Sequence, residues 1–497
     1  MAQPDLTIRG ARILDGSGAP AFQGDVSVRG ARIEAVGALP GAAARREIDA
    51  RGRVLAPGFV DVHTHDDGAL LAHPGMEFKL SQGVTSVVVG NCGFSAAPVL
   101  GGGPGATAIS FGPAADRRDL DSYRAAVDAA RPAVNAVALV GHNSLRSQVL
   151  GAAERGPSAA ELAAMRGEVE RALEQGACGF STGLVYTPGR YARTEEVVEL
   201  ARPLAARGAL YATHMRNEGD LLLDSIEETL RIGREAGCAV HVSHHKAAGL
   251  RNFGKVGESL ARIDRANAEG MDVTLDVYPY TASSGPMAEY FRLERLDLEL
   301  AAVTRLASCP DFREWEGRGL TEIAAELGVT LEEVTRRILS SPRARETICI
   351  QFIMDESDVE ANLRHPRAMV GSDGIPDLRG RPHPRLFGTC PRVLARYVRE
   401  RGVLSLPEAV RRMTSLSCER FGLAGRGRVA PGAFADLVLF DPDAVADAAT
   451  YEDPKRESRG IACVIVNGAV ALEDGRHTGA GAGRALRYRA EPEEERP

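Results

Sequence analysis

The sequence predicts an α/β fold: a (β/α)8 TIM-like barrel with a small β-sandwich domain formed by both termini. Three observations in the 497-residue chain carry this reading. The middle alternates apolar strand-like runs with helix-period segments, the signature of βα units. Both ends instead alternate apolar and polar residues with period two and close on glycine-containing turns. Finally, the polar residues that interrupt the strand-like runs fall at their C-terminal ends, the face on which barrels build their sites.

At the N-terminal end, DLTIRGARILDG, DVSVRGARIEAVG and RREIDARGRVLAPG read as short β hairpins. The same texture returns in GRVAPGAFADLVLFDP and IACVIVNGAVALEDG. Residues 1–56 and 416–480 are therefore assigned to one composite β-sandwich enclosing a barrel at 57–415. The tail 481–497, ending EPEEERP, is charged and proline-containing and is expected to be disordered.

Eight candidate barrel strands follow: FVDVHTH (59–65), VTSVVVG (84–90), VNAVALVGHN (134–143), ACGFSTGL (177–184), ALYATHM (209–215), AVHVSHHK (239–246), DVTLDVYPY (272–280) and AMVGSD (368–373). Between them lie helix patterns such as AELAAMRGEVERALEQG, which ends on Gly176 as a C′ glycine would. The interval 281–367 is too long for an ordinary βα connection. It holds the helical patterns MAEYFRLERLDLELAAVTRLA and LTEIAAELGVTLEEVTRRIL, so a lid-like insertion is placed at about 285–345. The glycine-rich GGGPGA (101–106) lacks the GK[ST] ending of a phosphate loop and reads as a flexible loop.

Composition narrows the partners. The net charge is −7, with both signs interspersed and no basic stripe, which argues against nucleic acid or an anionic membrane. No uncharged apolar run approaches the roughly 18–20 residues of a membrane span, and MAQPDLTIRG has no apolar signal region. The eight cysteines form no CxxC pair and no disulfide framework. A cytoplasmic protein acting on a small molecule is expected.

The polar outliers of the strands define the candidate site. His63 and His65 lie two residues apart on one side of the first strand's end. Cys92 ends the second strand in VVVGNCGFS, His214 the fifth, His244 and His245 the sixth, and Asp373 the eighth. A mixed N, S and O set on one rim suits Zn²⁺ better than Mg²⁺ or Ca²⁺. Each residue has another reading. Cys92 could be a buried thiol or a nucleophile served by a histidine base, although the number of histidines favours a metal. His245 points away from His244 and, with His241, reads as structural, while His142 in VGHNSLR could face the pocket. Asp373 could cap its turn, but its place on the last strand favours catalysis.

PGFVDVHTHDD, the strand-end histidines and SDG together resemble the amidohydrolase superfamily. Seven stretches (VTSVVVGNCGFS, GFSTGLVYTPG, YATHMRNEG, HVSHHKAAG, YPYTASSG, RPHPRLFGT and GRVAPGAFADLVLFDP) resemble its N-acyl-D-amino-acid deacylase (D-aminoacylase) branch, in order and over nearly the whole chain. The resemblance implies zinc-dependent hydrolysis of the amide bond of N-acyl-D-amino acids, releasing a carboxylate and a free D-amino acid. Hydantoinases bridge two metals with a carboxylated lysine on strand four. Here ACGFSTGLVY contains none, and in the resembled branch the strand-two cysteine serves instead.

Carried over residue by residue, Cys92, His214 and His244 hold a tight zinc, and His63, His65 and Asp373 form a weaker second site. Asp373 is the catalytic acid/base. Lys246, Tyr280, Ser284 and Arg385 bind the substrate carboxylate. One extra residue in IPDLRGRPHPR leaves Arg379 and Arg381 as competitors of Arg385. Arg292 and Arg295 in FRLER are the candidates for selecting acidic side chains, but they read as helix-surface residues. Neutral or hydrophobic D-amino acids are therefore expected. The alternatives are a D-glutamate- or D-aspartate-selective deacylase and a hydantoinase-like cyclic amidase.

Overall fold

Eight parallel strands form the central sheet of the computed structural model, which describes residues 3–40, 44–99, 117–151 and 153–489. The GGGPGA loop and the EPEEERP ending lie outside the described residues. The strands are Phe59–Asp61, Val84–Val89, Asn135–Gly141, Gly179–Gly183, Leu210–His214, Ala239–Val242, Val273–Val277 and Ala368–Val370, hydrogen-bonded in chain order. Each lies inside one of the eight stretches read from the sequence. The eighth meets the first through Val62 N to Val370 O at 3.5 Å, Asp373 N to His63 O at 2.7 Å and a parallel Thr64–Gly374 bridge, so the barrel closes. One end of its interior is filled by Val60, Val88, Val137, Leu139 and Met369, plugged by Phe421 and Leu423.

The helices between strands follow ordinary end rules. Ala159–Glu174 starts on Ser158, whose hydroxyl forms a capping box with Glu161, satisfying backbone donors that the first turn leaves free. It gives way to Gly176 in the left-handed region, at φ +93°.

The termini share a nine-stranded mixed sheet. One face, with Val54, Ala56, Val438 and Phe440, packs on the barrel core. The other, with Ile8, Ile13, Val26, Val28, Leu55, Leu437 and Leu439, encloses a core of its own. Of the three N-terminal stretches only DVSVRGARIEAVG folds as a hairpin, Phe22–Arg29 with Arg32–Gly37, while Ile461–Val466 and Ala469–Glu473 make another at the C-terminal end. Arg46–Asp49 and Val54–Pro57 do not pair with each other, contrary to the hairpin expectation. Both run parallel to successive parts of Leu6–Ile13. Alternation dictates which face a side chain takes, but not which strand is its neighbour.

Two boundaries differ from expectation. Ser415–Phe421 is a helix whose Cys418 and Phe421 belong to the barrel core, and the terminal-sheet strands resume only at Leu437. Residues 481–489 are not disordered. They form a strap across the N-terminal end of the barrel, with Leu486 N bonded to Ala136 O at 2.7 Å and Tyr488 N to Gly176 O at 2.9 Å. At Gly481 and Gly483 a Cβ would come within 2.2 and 2.1 Å of the Arg131 and Val134 carbonyl oxygens. They permit close backbone contact rather than freedom.

The insertion is a subdomain with a three-stranded antiparallel sheet: Ser283–Pro286, Ile348–Gln351 and Thr304–Ser308. Its core contains Met287, Phe291, Leu306, Trp315, Ile323 and Ile338. The pattern MAEYFRLERLDLELAAVTRLA is not one helix. It breaks into Met287–Tyr290, Leu298–Ala302 and the strand Thr304–Ser308, and in FRLER residues 292–295 form an exposed turn after the buried Phe291.

Candidate metal and active site

The strand-end residues converge on Cys92. Its Sγ lies 3.3 Å from His63 Nε2, 3.4 Å from His244 Nε2 and 3.6 Å from His214 Nδ1. Asp373 Oδ1 stands 3.5 Å from His63 Nε2 and 3.1 Å from His65 Nε2. All six residues are buried. Cys92, His244 and Asp373 each take a left-handed backbone, at φ +54°, +33° and +50°. Such conformations cost about 1–3 kcal/mol each outside glycine and persist only where the surroundings fix them. Asp67 supplies one such restraint: its carboxylate accepts Gly90 N at 3.2 Å and Ala96 N at 3.1 Å, clamping both ends of the Cys92 loop.

This donor set suits a zinc-like ion. Tetrahedral zinc with sulfur at about 2.3 Å and nitrogen at about 2.0 Å sets those ligand atoms about 3.5 Å apart. The three Sγ–N separations match that edge. Donor atoms of His63, Cys92, His244 and Asp373 all lie within 4.8 Å of one another, as do those of His214, Glu218 and His244. The fourth strand, GFSTG, offers no lysine. Burial alone would raise the Cys92 thiol, but the imidazoles of His63 and His244 outweigh it and hold the group well below its usual value. A metal ligand needs that thiolate form. Burial likewise opposes ionisation of Asp373, and the Arg385 guanidinium, followed by His244, holds it well below the usual carboxylate range.

Two carboxylates missed in the sequence orient the imidazoles. Asp276 Oδ2 lies 3.2 Å from His63 Nδ1 and 2.9 Å from His241 Nε2, while its Oδ1 accepts His244 N at 3.0 Å. Glu218 Oε1 is 2.9 Å from His244 Nδ1, and its Oε2 is 3.4 Å from His214 Nε2. Carboxylate partners of this kind fix ring orientation and raise ligand basicity. The available signals were an aspartate inside the apolar run VTLDV and a glutamate four residues after His214.

A cavity of about 340 Å³ opens over Asp373 and His214. Tyr186, Tyr278, Ser284 and Tyr290 line its inner part, and Leu250, Leu300, Val303 and Ile353 its outer wall. Lys246 reaches it, but its Nζ is engaged by Glu218 Oε1 at 2.6 Å. Arg385 is buried beneath, with Nη2 2.9 Å from Asp373 Oδ2 and donating to Ser284 O at 3.1 Å. Its Nε and Nη1 have no partner among the described residues. Tyr280, in contrast, directs its hydroxyl to Pro384 O at 3.5 Å and stacks under Arg392, so Tyr278 takes the cavity wall. Arg379 is exposed and Arg381 bonds to Glu452 O, which leaves Arg385 as the arginine beside Asp373. Arg292 and Arg295 are exposed and lie outside the cavity lining. His142 pairs with Glu196 at 2.9 Å, and His245 with Asn362 and Ser259, all away from the cavity.

Comparison with known proteins gives a consistent family. The Amidohydrolase family model matches residues 46–307 and 261–472. A D-aminoacylase of Alcaligenes xylosoxydans xylosoxydans is 46% identical over 488 residues, 98% of each chain. The N-acyl-D-glutamate deacylase of the same organism is also 46% identical, covering 94% of this chain and 93% of its own. Among solved structures, an N-acyl-D-glutamate deacylase from Bordetella bronchiseptica, complexed with zinc and a phosphonate mimic of the tetrahedral intermediate, superposes with a TM-score of 0.91. It is 44% identical, over 98% of this chain and 100% of its own.

Proposed function

The chain belongs to the amidohydrolase family, in its D-aminoacylase branch, and on that premise we propose that it is a zinc-dependent hydrolase of N-acyl-D-amino acids. The observation that carries this reading is the Cys92 sulfur at the hub of three imidazoles, with one buried carboxylate, Asp373, beside them. Cys92, His214 and His244 are assigned the tighter zinc, and His63, His65 and Asp373 a weaker second position. The bound metal supplies polarisation of the amide carbonyl and a lowered pKa for water, toward ~7.

The chain's own groups do the rest. Asp373 accepts the proton of the attacking water and passes it to the amide nitrogen, which leaves as an amine. The C–N bond breaks, and the water oxygen remains in the released carboxylate. Asp373 is suited to this because Arg385 fixes its Oδ2 while Oδ1 faces the histidines. The unpartnered N–H groups of Arg385, with Tyr278 and Ser284, are assigned to the substrate carboxylate. A planar guanidinium suits that anion.

Neutral or hydrophobic side chains fit this cavity best. Its outer wall is aliphatic, and the exposed charges at its mouth are Asp220, Asp297, Glu299 and Arg251; Arg251 pairs with Glu299 at 3.5 Å, so the balance is negative and disfavours a second carboxylate. Equal identity to D-aminoacylase and D-glutamate deacylase relatives leaves the choice to this wall. The test is metal analysis followed by hydrolysis of N-acetyl-D-Leu, D-Met, D-Glu, D-Asp and L-Leu. Turnover of the first two at least about tenfold above the acidic pair supports the reading. No turnover of any D substrate by zinc-loaded protein rejects it.

A further inference from the structure

We propose that Lys79 is a positioning residue for Asp373, acting through Asp61 and Ser372 across the seam where the barrel closes. The inference rests on Asp373 being the proton carrier.

The seam is the weakest joint of the barrel. Other neighbouring strands share ladders of three to five paired residues, with one bulge between the first and second, whereas the first and eighth, each three residues long, meet through isolated bonds and one bridge. Yet it bears His63, His65 and Asp373, and Asp373 must be held at φ +50°. Gly371 permits the approach: a Cβ there would stand 2.5 Å from His63 Cβ.

Side chains supply what the backbone lacks. Lys79, on the short helix Glu77–Leu80, is fully buried and donates to Asp61 Oδ2 at 2.6 Å and Ser372 Oγ at 3.1 Å, with Asp66 Oδ2 at 3.2 Å. Asp61 Oδ1 accepts Ser372 N at 2.7 Å, and Ser372 Oγ accepts Gly374 N at 3.1 Å. Ser372 is thereby tied to the first strand, its Oγ also donating to His63 O at 3.4 Å, and Gly374 is tied to Ser372. Burial would strip the Lys79 proton, but Asp61 and Asp66 more than offset this, so the strut is an ammonium. A buried charge cluster is a poor way to gain stability compared with apolar packing. A demand for geometry explains it better.

The test compares zinc-loaded wild type with the strut variant Lys79→Met/Asp61→Asn/Asp66→Asn, which removes the ammonium together with both carboxylates facing it, with Ser372→Ala, and with the two combined. Positioning predicts that kcat on N-acetyl-D-Leu falls about tenfold or more in each, with KM within about twofold and zinc content unchanged. The combined variant should lose no more than the larger of its parents, because both act through one link. Unchanged kcat, multiplying losses, or KM rising together with a lowered melting temperature overturns the inference. If the strut variant does not fold, Asp61→Asn, which keeps an oxygen for Ser372 N and leaves Lys79 paired with Asp66, decides by the same readouts. Wild type inert on every D substrate instead rejects the proposed function, so the two failures are distinguishable.

Discussion

Arg385 Nη2 lies 2.9 Å from Asp373 Oδ2, so one guanidinium both pins the proposed proton carrier and presents its remaining N–H groups unpartnered. The proposed anchor for a substrate anion and the proposed proton carrier are thus held together as one unit. A substrate held by Arg385 is placed at a fixed distance from Asp373.

Asp373→Asn keeps the shape and the pairing with Arg385 but cannot accept a proton. General acid–base catalysis contributes typically ~10²–10⁴-fold, so kcat should fall at least about a hundredfold. Zinc retention and an unchanged circular-dichroism melt would show that chemistry, not folding, was lost.

Cys92→Ser replaces the soft hub of the donor set with a weakly acidic hydroxyl. Zinc should be lost to a chelator at concentrations that leave wild type loaded, and activity should fall in step. A variant that keeps both would return Cys92 to the role of a buried thiol.

Glu218→Gln leaves an oxygen for His244 Nδ1 but removes the charge shared by His214, His244 and Lys246. Loss of such a partner costs about 10–100-fold in metal affinity. Competition with a fluorescent zinc chelator measures it.

Truncation after Ala480 removes the strap and its bonds to Ala136 and Gly176. The melting temperature should drop by several degrees, with KM on any accepted substrate unchanged, because the strap lies opposite the cavity. An unchanged melt would mean that the segment adds nothing to the fold.

The legible and illegible parts divide along a physical line. Strands were legible because a buried parallel strand must be apolar throughout, so His63, Cys92, His214 and Asp373 stand out against it. Lys79 and Glu218 were not, since an isolated charge in a turn looks like solvated surface until a tertiary partner is known. Tyr278 and Tyr280 mark another limit. They share a face only while the strand continues, and it ends at Val277, so alternation no longer says which ring meets the cavity. The insertion misled for a related reason. Helix-period spacing persisted through MAEYFRLERLDLELAAVTRLA although its last four residues belong to the strand Thr304–Ser308 of the small sheet, where tertiary pairing overrides local preference.

The strap suggests a practical handle. Tyr488 OH reaches Gly208 O, and Leu486 and Tyr488 bind Ala136 and Gly176, all at the ends of barrel strands remote from Asp373. A support or fusion partner joined beyond Arg489 would therefore seat the molecule with its mouth facing the bulk liquid. Immobilised through that end, the catalyst should keep its solution KM, whereas random coupling through surface amines, among them Lys255, which donates to Asn252 of the cavity lining, should not.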